Sequence, residues 1–486
     1  ISAGTPTAGG QYQITASATN VSTGTSATVT VRAPAISSIR VGALAVGTHR
    51  VDTSINLDSP APAGGLRVNL ISSDPNKVQV PATTTVPAGQ SSLSSAFTIT
   101  GVGTTFDGTG RDQPISLTAS VSDGSWASAS TPVSVQASLS LIVQNVQTTR
   151  TTQSPANTTI WADLRCTNGG DCGQLNAPLT VTFSAIDPTN GGLSSIVKLS
   201  SPTAGPVASL DIVMATDTAT TYNSPFISAG TPSATGQYQI RASANAVGSG
   251  ISSTVSVSQP AITGISIGTL APGTHRVDSS INLDSPAPAG GLVVTLVSSD
   301  PNKVQVPATT TIPAGQSSLA GAFTITGLAT TIDGTGRDHP VTITASVSDG
   351  SWISKTAPAS VQQSLVLLVQ NVATSRTLSS APNTSIWVDL RCAASNGDCG
   401  LLNADLSITM AAINPSTGAA STIVSLSTPN GPATTSLTLT MAANTNSTYN
   451  APFVTAGTPT NTGTYQITAT ATGVNSGASG VVTVTP

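Results

Sequence analysis

The sequence predicts an all-β chain, a tandem array of sandwich domains of two alternating types, and three observations carry that reading. The run GTHRVDTSINLDSPAPAGGL beginning at Gly47 returns as GTHRVDSSINLDSPAPAGGL beginning at Gly273, and the 226-residue offset persists through the surrounding sequence. A period that long marks repeated whole domains. Charged residues make up 7% of the 486 and aromatics 3%, against roughly 25% charged in an average soluble domain. Every acidic residue is Asp and Lys is scarce, so a helical period has little to work with, whereas Val, Thr and Ile alternate throughout. Finally, 44 Gly and 32 Pro cut the chain into short runs, and 38% hydrophobic residues in alternation bury enough surface to offset chain entropy.

The first domain type, residues 35–136, reads as seven strands: ISSIRVGAL, VDTSINLDSP, GGLRVNLISSD, KVQVPATTTVPAG, SSAFTITGVG, ISLTASVSDG and SWASASTPVSVQ. Seven short strands separated by Gly, Pro and Asp turns over about a hundred residues match an immunoglobulin-like β-sandwich. The second type, residues 137–260, is cued by SLSLIVQNV, NTTIWADLRC, APLTVTFSAI, ASLDIVMA, GQYQIRASAN and STVSVS. Within it, Trp161 and Tyr238 resemble the core tryptophan and tyrosine corner of such sandwiches. Residues 261–362 and 363–486 repeat the two types. Residues 1–34 match the closing strands of the second type, since ISAGTPTAGGQYQITASA at Ile1 reappears at Ile227 and, varied, at Val454. They are expected to be completed by preceding sequence or a neighbouring copy.

The stretch SSDPNKVQVPATTTVPAGQSSLSSAFTITG, with the ITASVSDG strand and turn, resembles the Ig-like repeats of large bacterial secreted and cell-surface proteins, including the stalks of giant adhesins. The resemblance covers the first domain type and carries no catalytic residues. It implies an extracellular, structural or adhesive role. The chain departs from calcium-stiffened adhesins, because the junctions at Val31, Val135 and Val257 hold no carboxylate. Short junctions carrying Pro34 or Pro260 in place of Gly/Ser linkers predict a semi-rigid array.

Four cysteines form two close pairs, Cys166 with Cys172 in DLRCTNGGDCG and Cys392 with Cys399 in DLRCAASNGDCG. Each pair is expected to close a hairpin disulfide, worth about 2 kcal/mol by loop entropy, in an oxidising compartment. Zinc would want a second ligand pair nearby, and neither His nor further Cys supplies one.

Other constellations are weaker. His49, Arg50 and Asp52 recur as His275, Arg276 and Asp278, but alternation sets His49 and Arg50 on opposite strand faces, so they read as turn or strand-edge residues. The loop with Asp107 and Asp112, copied at Asp333 and Asp338, supplies too few oxygens for calcium and an opposing Arg111; it reads as a hairpin with an Asp to Arg contact. Lys77 and Lys303 sit in turns, against an isopeptide cross-link, and no G-x-S-x-G elbow occurs. Sequons at Asn20, Asn157, Asn383 and Asn446 are what a Ser/Thr-rich chain yields by chance.

No catalytic, cofactor or metal site is called for. The net charge of −4 lies without runs and no segment reaches bilayer-spanning length, which argues against nucleic acid and membrane insertion as partners. The expected role is a non-catalytic repeat of an extracellular filament, fibre or sheath whose partners are other copies of itself, with surface glycans as a further partner class. The alternative is the spacer stalk of an adhesin. A carbohydrate-binding accessory module ranks third, because with 4 Trp and 5 Tyr, several assigned to cores, few rings are left for a sugar platform.

Overall fold

A computed structural model describes residues 9–222, 224, 226–449 and 453–486. These residues contain strands, turns and bends and no helix. The chain divides into two compact units, Ile1–Ser258 and Gln259–Pro486.

In the first unit, Ile36–Arg40 pairs with Ser54–Leu57, which pairs with Ser92–Ser94. The same two strands continue as Thr48–Arg50 against Ile99–Gly101, and Val78–Gln79 completes that sheet. The opposing sheet runs Thr83–Val86, Leu66–Ser72, Ile115–Ser120, Ala129–Val133, all antiparallel, while Val135–Gln136 pairs parallel with Leu44–Ala45. This is the A-B-E-D order of an immunoglobulin-like sandwich in one sheet and C-F-G with the added edge strand Thr83–Val86 in the other, so the run KVQVPATTTVPAG, expected as one strand, divides between the two sheets. Alternation puts Val68, Leu70, Leu117 and Ala119 inward against Ile55 and Ile99, and Trp126 joins the same core. Full burial of each such aliphatic side chain is worth roughly 1.5–3 kcal/mol.

The next sandwich repeats the order. Leu139–Gln144, Asn157–Cys166, Ile227–Ala229 and Leu199–Ser201 form one sheet; Ser209–Met214, Leu179–Ile186, Gly236–Ala244 and Val255–Ser258 form the other, with Thr149–Thr151 parallel to the last strand. The described strands from Ile36 to Ser258 form immunoglobulin-like sandwiches. The second unit carries the same pairings, from Ile262–Ser266 with Ser280–Leu283 through Gly463–Ala471 with Val482–Thr485.

Two expectations about aromatic residues change. Trp161 is not the core tryptophan. It lies on the strand face shared with Asp163 and Arg165, whereas Ile160, Ala162, Leu164 and Cys166 face inward, so the sandwich core at this level is aliphatic. The buried tryptophans, Trp126 and Trp352, belong to the other domain type. Tyr238 is fully buried as expected of a corner tyrosine, but its hydroxyl accepts from Arg150 Nη1 at 2.9 Å and not from a backbone amide. Arg150 is buried and also donates to the carbonyls of Pro155 (2.6 Å) and Ala229 (3.3 Å), which pins the short parallel strand without a carboxylate.

Residues 10–31 pair as Gly10–Tyr12 with Val29–Val31 and Thr15–Ala18 with Val21–Thr25. Tyr12 and Ile14 are 38% and 49% exposed, while their counterparts Tyr238 and Ile240 are at 0%. The first eight residues lie outside the described set.

Candidate functional site

The residues set aside as strand-edge in the sequence meet at a joint inside each unit. Strand Thr48–Arg50 belongs to the first sandwich, and the two-residue strand Gln174–Leu175 of the following one adds to its free side, with Gln174 opposite His49 and Leu175 opposite Thr48. A sheet of the first domain type therefore ends in a strand of the second. Edge pairing of this kind satisfies backbone groups that would otherwise face water.

Side chains complete the joint. Thr48, fully buried, donates its hydroxyl to the Cys172 carbonyl at 2.6 Å, and the amide of Asn176 donates to the Gly47 carbonyl at 3.0 Å. His49 Nδ1 donates to Asn176 Oδ1 at 2.8 Å, and its Nε2 lies 3.2 Å from Asp217 Oδ1, an ion pair when the ring is protonated. Arg50 forks onto both oxygens of Asp52, at 2.8 and 2.6 Å, and reaches Asp171 Oδ2 at 2.9 Å. The Arg50 guanidinium holds the Asp52 carboxyl below its ordinary value, chiefly by hydrogen bonding and against the opposing effect of burial, and the two aspartates raise Arg50 in turn.

Gly173 is required by this geometry. Its φ is +87°, and a Cβ there would sit 2.3 Å from the His49 carbonyl oxygen. Gly400 repeats the condition with φ +91° and a distance of 2.4 Å to the His275 carbonyl. Ala45 of the first sandwich is counted in the core of the second, beside Leu175, so apolar packing crosses the joint as well.

The cysteines border it. Cys166 and Cys172 have Cα atoms 5.2 Å apart, and Cys392 and Cys399 5.3 Å, within disulfide reach, with all four side chains buried. They do not close a hairpin of mutually paired strands: Cys166 ends strand Asn157–Cys166, and the strand after Cys172 pairs across to the other sandwich.

A cleft of about 460 Å³ opens beside the joint, lined among others by His49, Asp52, Asp163, Arg165, Asp171 and Asp217. Its cations face carboxylates: Arg165 lies 3.2 Å from Asp163, and Arg50 and His49 are engaged as above. General acid–base or nucleophilic chemistry needs a group left poised against a substrate atom. In this arrangement each cation has a carboxylate partner. Among the described residues no cluster of three or more His, Cys or Asp is placed to hold a metal ion.

Other residues singled out in the sequence are kept apart. Asp107 Oδ1 accepts from the Thr109 amide and hydroxyl and from the Arg111 amide, so its contact with Arg111 is through backbone and not the guanidinium, while Asp112 turns away to Thr105 and Ser134. Asn157 is buried, its Oδ1 accepting from the Gln147 amide and its Nδ2 donating to the Asn145 carbonyl. The sequence reading missed two features. One is the joint, for which the signal was the recurrence of THRVD and GDCG together in both repeats. The other is an outward aromatic cluster, Trp161 with Tyr222 and Phe226, copied as Trp387, Tyr449 and Phe453. Trp161 and Tyr222 meet edge to face at 5.0 Å and 83°, which closes the cluster on itself and does not lay rings flat as a platform.

No known protein family's sequence model matches the chain, and no curated protein does. Solved structures similar to it include domains 4–9 of the surface layer protein SbsC, at 15% identity over 99% of this chain and 70% of that one, TM-score 0.23. The bacterial integrin-binding protein invasin matches at 14% identity over 92% of this chain and 78% of its own, TM-score 0.22. The Yersinia pseudotuberculosis adhesin InvE matches at 14% over 59% and 71%, TM-score 0.21. Overlaps this low carry no weight for fold or function. The immunoglobulin-like assignment rests on the strand order.

Proposed function

We propose that the chain is a structural segment of an extracellular bacterial fibre or sheath, in which residues 35–260 and 261–486 are two blocks, each a first-type sandwich bonded to a second-type one. The observation that carries this reading is the joint itself. Two copies of it, offset by 226 residues in the first sandwich and 227 in the second, engage the same Thr, His and Arg with the same Asp-Cys-Gly segment, and an Arg–Asp pair crosses between the domains in each. A weakly charged, Ser/Thr-rich surface supports association with further copies without strong repulsion. Bridged cysteine pairs support an oxidising, extracellular setting.

The second reading, a spacer stalk holding an adhesive tip elsewhere, is supported by the same joint between sandwiches. Immunogold electron microscopy of intact cells with antibodies against this chain separates the readings. Label along laterally packed fibres or a sheath is expected; label on isolated fibres ending in a distinct tip favours the stalk. Label only inside the cell contradicts both.

A further inference from the structure

We propose that the disulfide-tied segment Asp171–Asn176 is the coupling element of the joint, so that breaking the Cys166–Cys172 bridge frees the first sandwich from the second while both cores stay folded. The proposal rests on the reading that the cysteine pairs are bridged.

Six consecutive residues touch the preceding sandwich. Asp171 takes Arg50 through its carboxylate and its carbonyl, Cys172 takes the Thr48 hydroxyl, and Gly173 lies against the His49 carbonyl. Gln174 and Leu175 form the ladder, and Asn176 takes His49 and Gly47. Besides the Leu175 side chain, buried in the core of that sandwich, and the adjoining Gly170 carbonyl, which accepts from the Cys166 amide at 2.8 Å, two attachments hold this segment to its own sandwich. At its far end Leu175 exchanges backbone bonds with the Asp217–Thr218 turn, at 3.0 and 2.8 Å. At its near end the sulfur of Cys172, buried in the core, ties it to the end of strand Asn157–Cys166.

Without the bridge, Asp171, Cys172 and Gly173 keep only the contacts of a short Gly/Asn loop, and these three carry the Thr48 and Arg50 interactions. The second unit points the same way. Its loop holds one more residue between the cysteines, yet Asp398, Cys399, Gly400 and Asn403 meet Arg276, Thr274 and His275 as in the first, with Thr274 again 2.6 Å from the cysteine carbonyl. Loop length varies where nothing docks, and the segment from GDCG onward does not.

The chemistry of release is reduction by a dithiol such as dithiothreitol. It gives up two electrons and two protons and closes to its own cyclic disulfide, while each cysteine sulfur gains a hydrogen. The test uses the full chain and hydrogen–deuterium exchange read by mass spectrometry, after peptide mapping of the oxidised protein. Free thiols in that map would remove the bridging reading and this proposal with it.

With the bridges mapped, C166A/C172A is expected to speed exchange at least about tenfold in peptides covering 47–50 and 171–176. Peptides covering 66–72, 115–120 and 179–186 stay protected, and the joint at 273–276 and 398–403, left intact, serves as internal control. Unchanged exchange at 47–50 would show that the joint stands without the bridge and overturn the proposal. Loss of protection at 179–186 as well would make the bridge a staple of its own sandwich, again overturning it. Should the variant fail to fold, dithiothreitol treatment of the folded oxidised chain with the same readout decides. Thr48→Val, with the bridge in place, is expected to open 47–50 and 171–176 by a smaller factor.

Discussion

The two joints share a backbone and differ in one charge. In the first unit His49 sits between Asn176 and Asp217; in the second, Asn444 stands where Asp217 does, and His275 retains the Asn403 contact at 2.8 Å. Both positions are turn residues at positive φ, 59° for Asp217 and 63° for Asn444, a conformation that Asn and Asp share. The cleft beside the first joint is about 460 Å³, with Asp217 in its lining, and that beside the second about 190 Å³. The ladder, the Thr hydroxyl to the cysteine carbonyl and the Arg–Asp fork are common to both. What is common is what holds the domains together, and the histidine's second contact is dispensable to that geometry.

The largest effect expected is from Gly173→Ala or Gly400→Ala. A side chain at that φ costs roughly 1–3 kcal/mol, and contact with a backbone carbonyl that cannot retreat adds a similar amount. Both variants should lower the denaturation midpoint of their own unit to a similar extent. A neutral result at either would mean that the close approach to His49 or His275 relaxes freely.

Next in size are Arg50→Ala and Arg276→Ala. Each removes charge-assisted bonds worth about 1.5–3 kcal/mol in favourable geometry, discounted here because the Asp partners are largely exposed. Equal losses of stability in the two units are expected, because each arginine holds both its fork partner and the aspartate before the cysteine; a loss confined to one unit would show that these shared contacts do not carry the joint.

Acid provides the third comparison. Asp52 and Asp278 are both held below their ordinary values by their arginines, so the stability they contribute is fully present above the unfolded carboxylate value of about 4 and is lost as pH falls through it towards the lowered folded value. Exchange at 47–50 and at 273–276 should accelerate together below that pH, after correction for intrinsic rates. Arg50→Ala should flatten the response at the first joint alone.

The smallest effect is from Asp217→Asn, which converts the first joint to the second. A change under about 1 kcal/mol is expected, with a weaker dependence of first-unit stability on salt, because Asp217, the exposed member of the pair, is screened. Asn444→Asp should move the second joint the opposite way.

Much of this was legible beforehand. Most strand runs of the first domain type were readable because alternation and turn residues act locally, and the nearness of the cysteines followed from their spacing; KVQVPATTTVPAG, expected as one strand, instead gives Val78–Gln79 to one sheet and Thr83–Val86 to the other. Trp161 was misplaced although the signal was present: in IWADLRC it shares a parity with Asp163 and Arg165, and residue size was given priority over period. The aromatic cluster needs Tyr222 and Phe226, more than fifty residues on, and no local pattern links them to Trp161.

The sequence by itself determined the all-β class and the two alternating repeats, because those depend on period and turn chemistry over a few residues and on the plain recurrence of the chain. The joint was decided by tertiary structure alone. Gln174–Leu175 is too short to show a period, and its partner strand lies about 125 residues earlier. Whether His49 and Arg50 idle at an edge or clamp a neighbour depends on what reaches that edge, and their own positions in the strand do not contain that information.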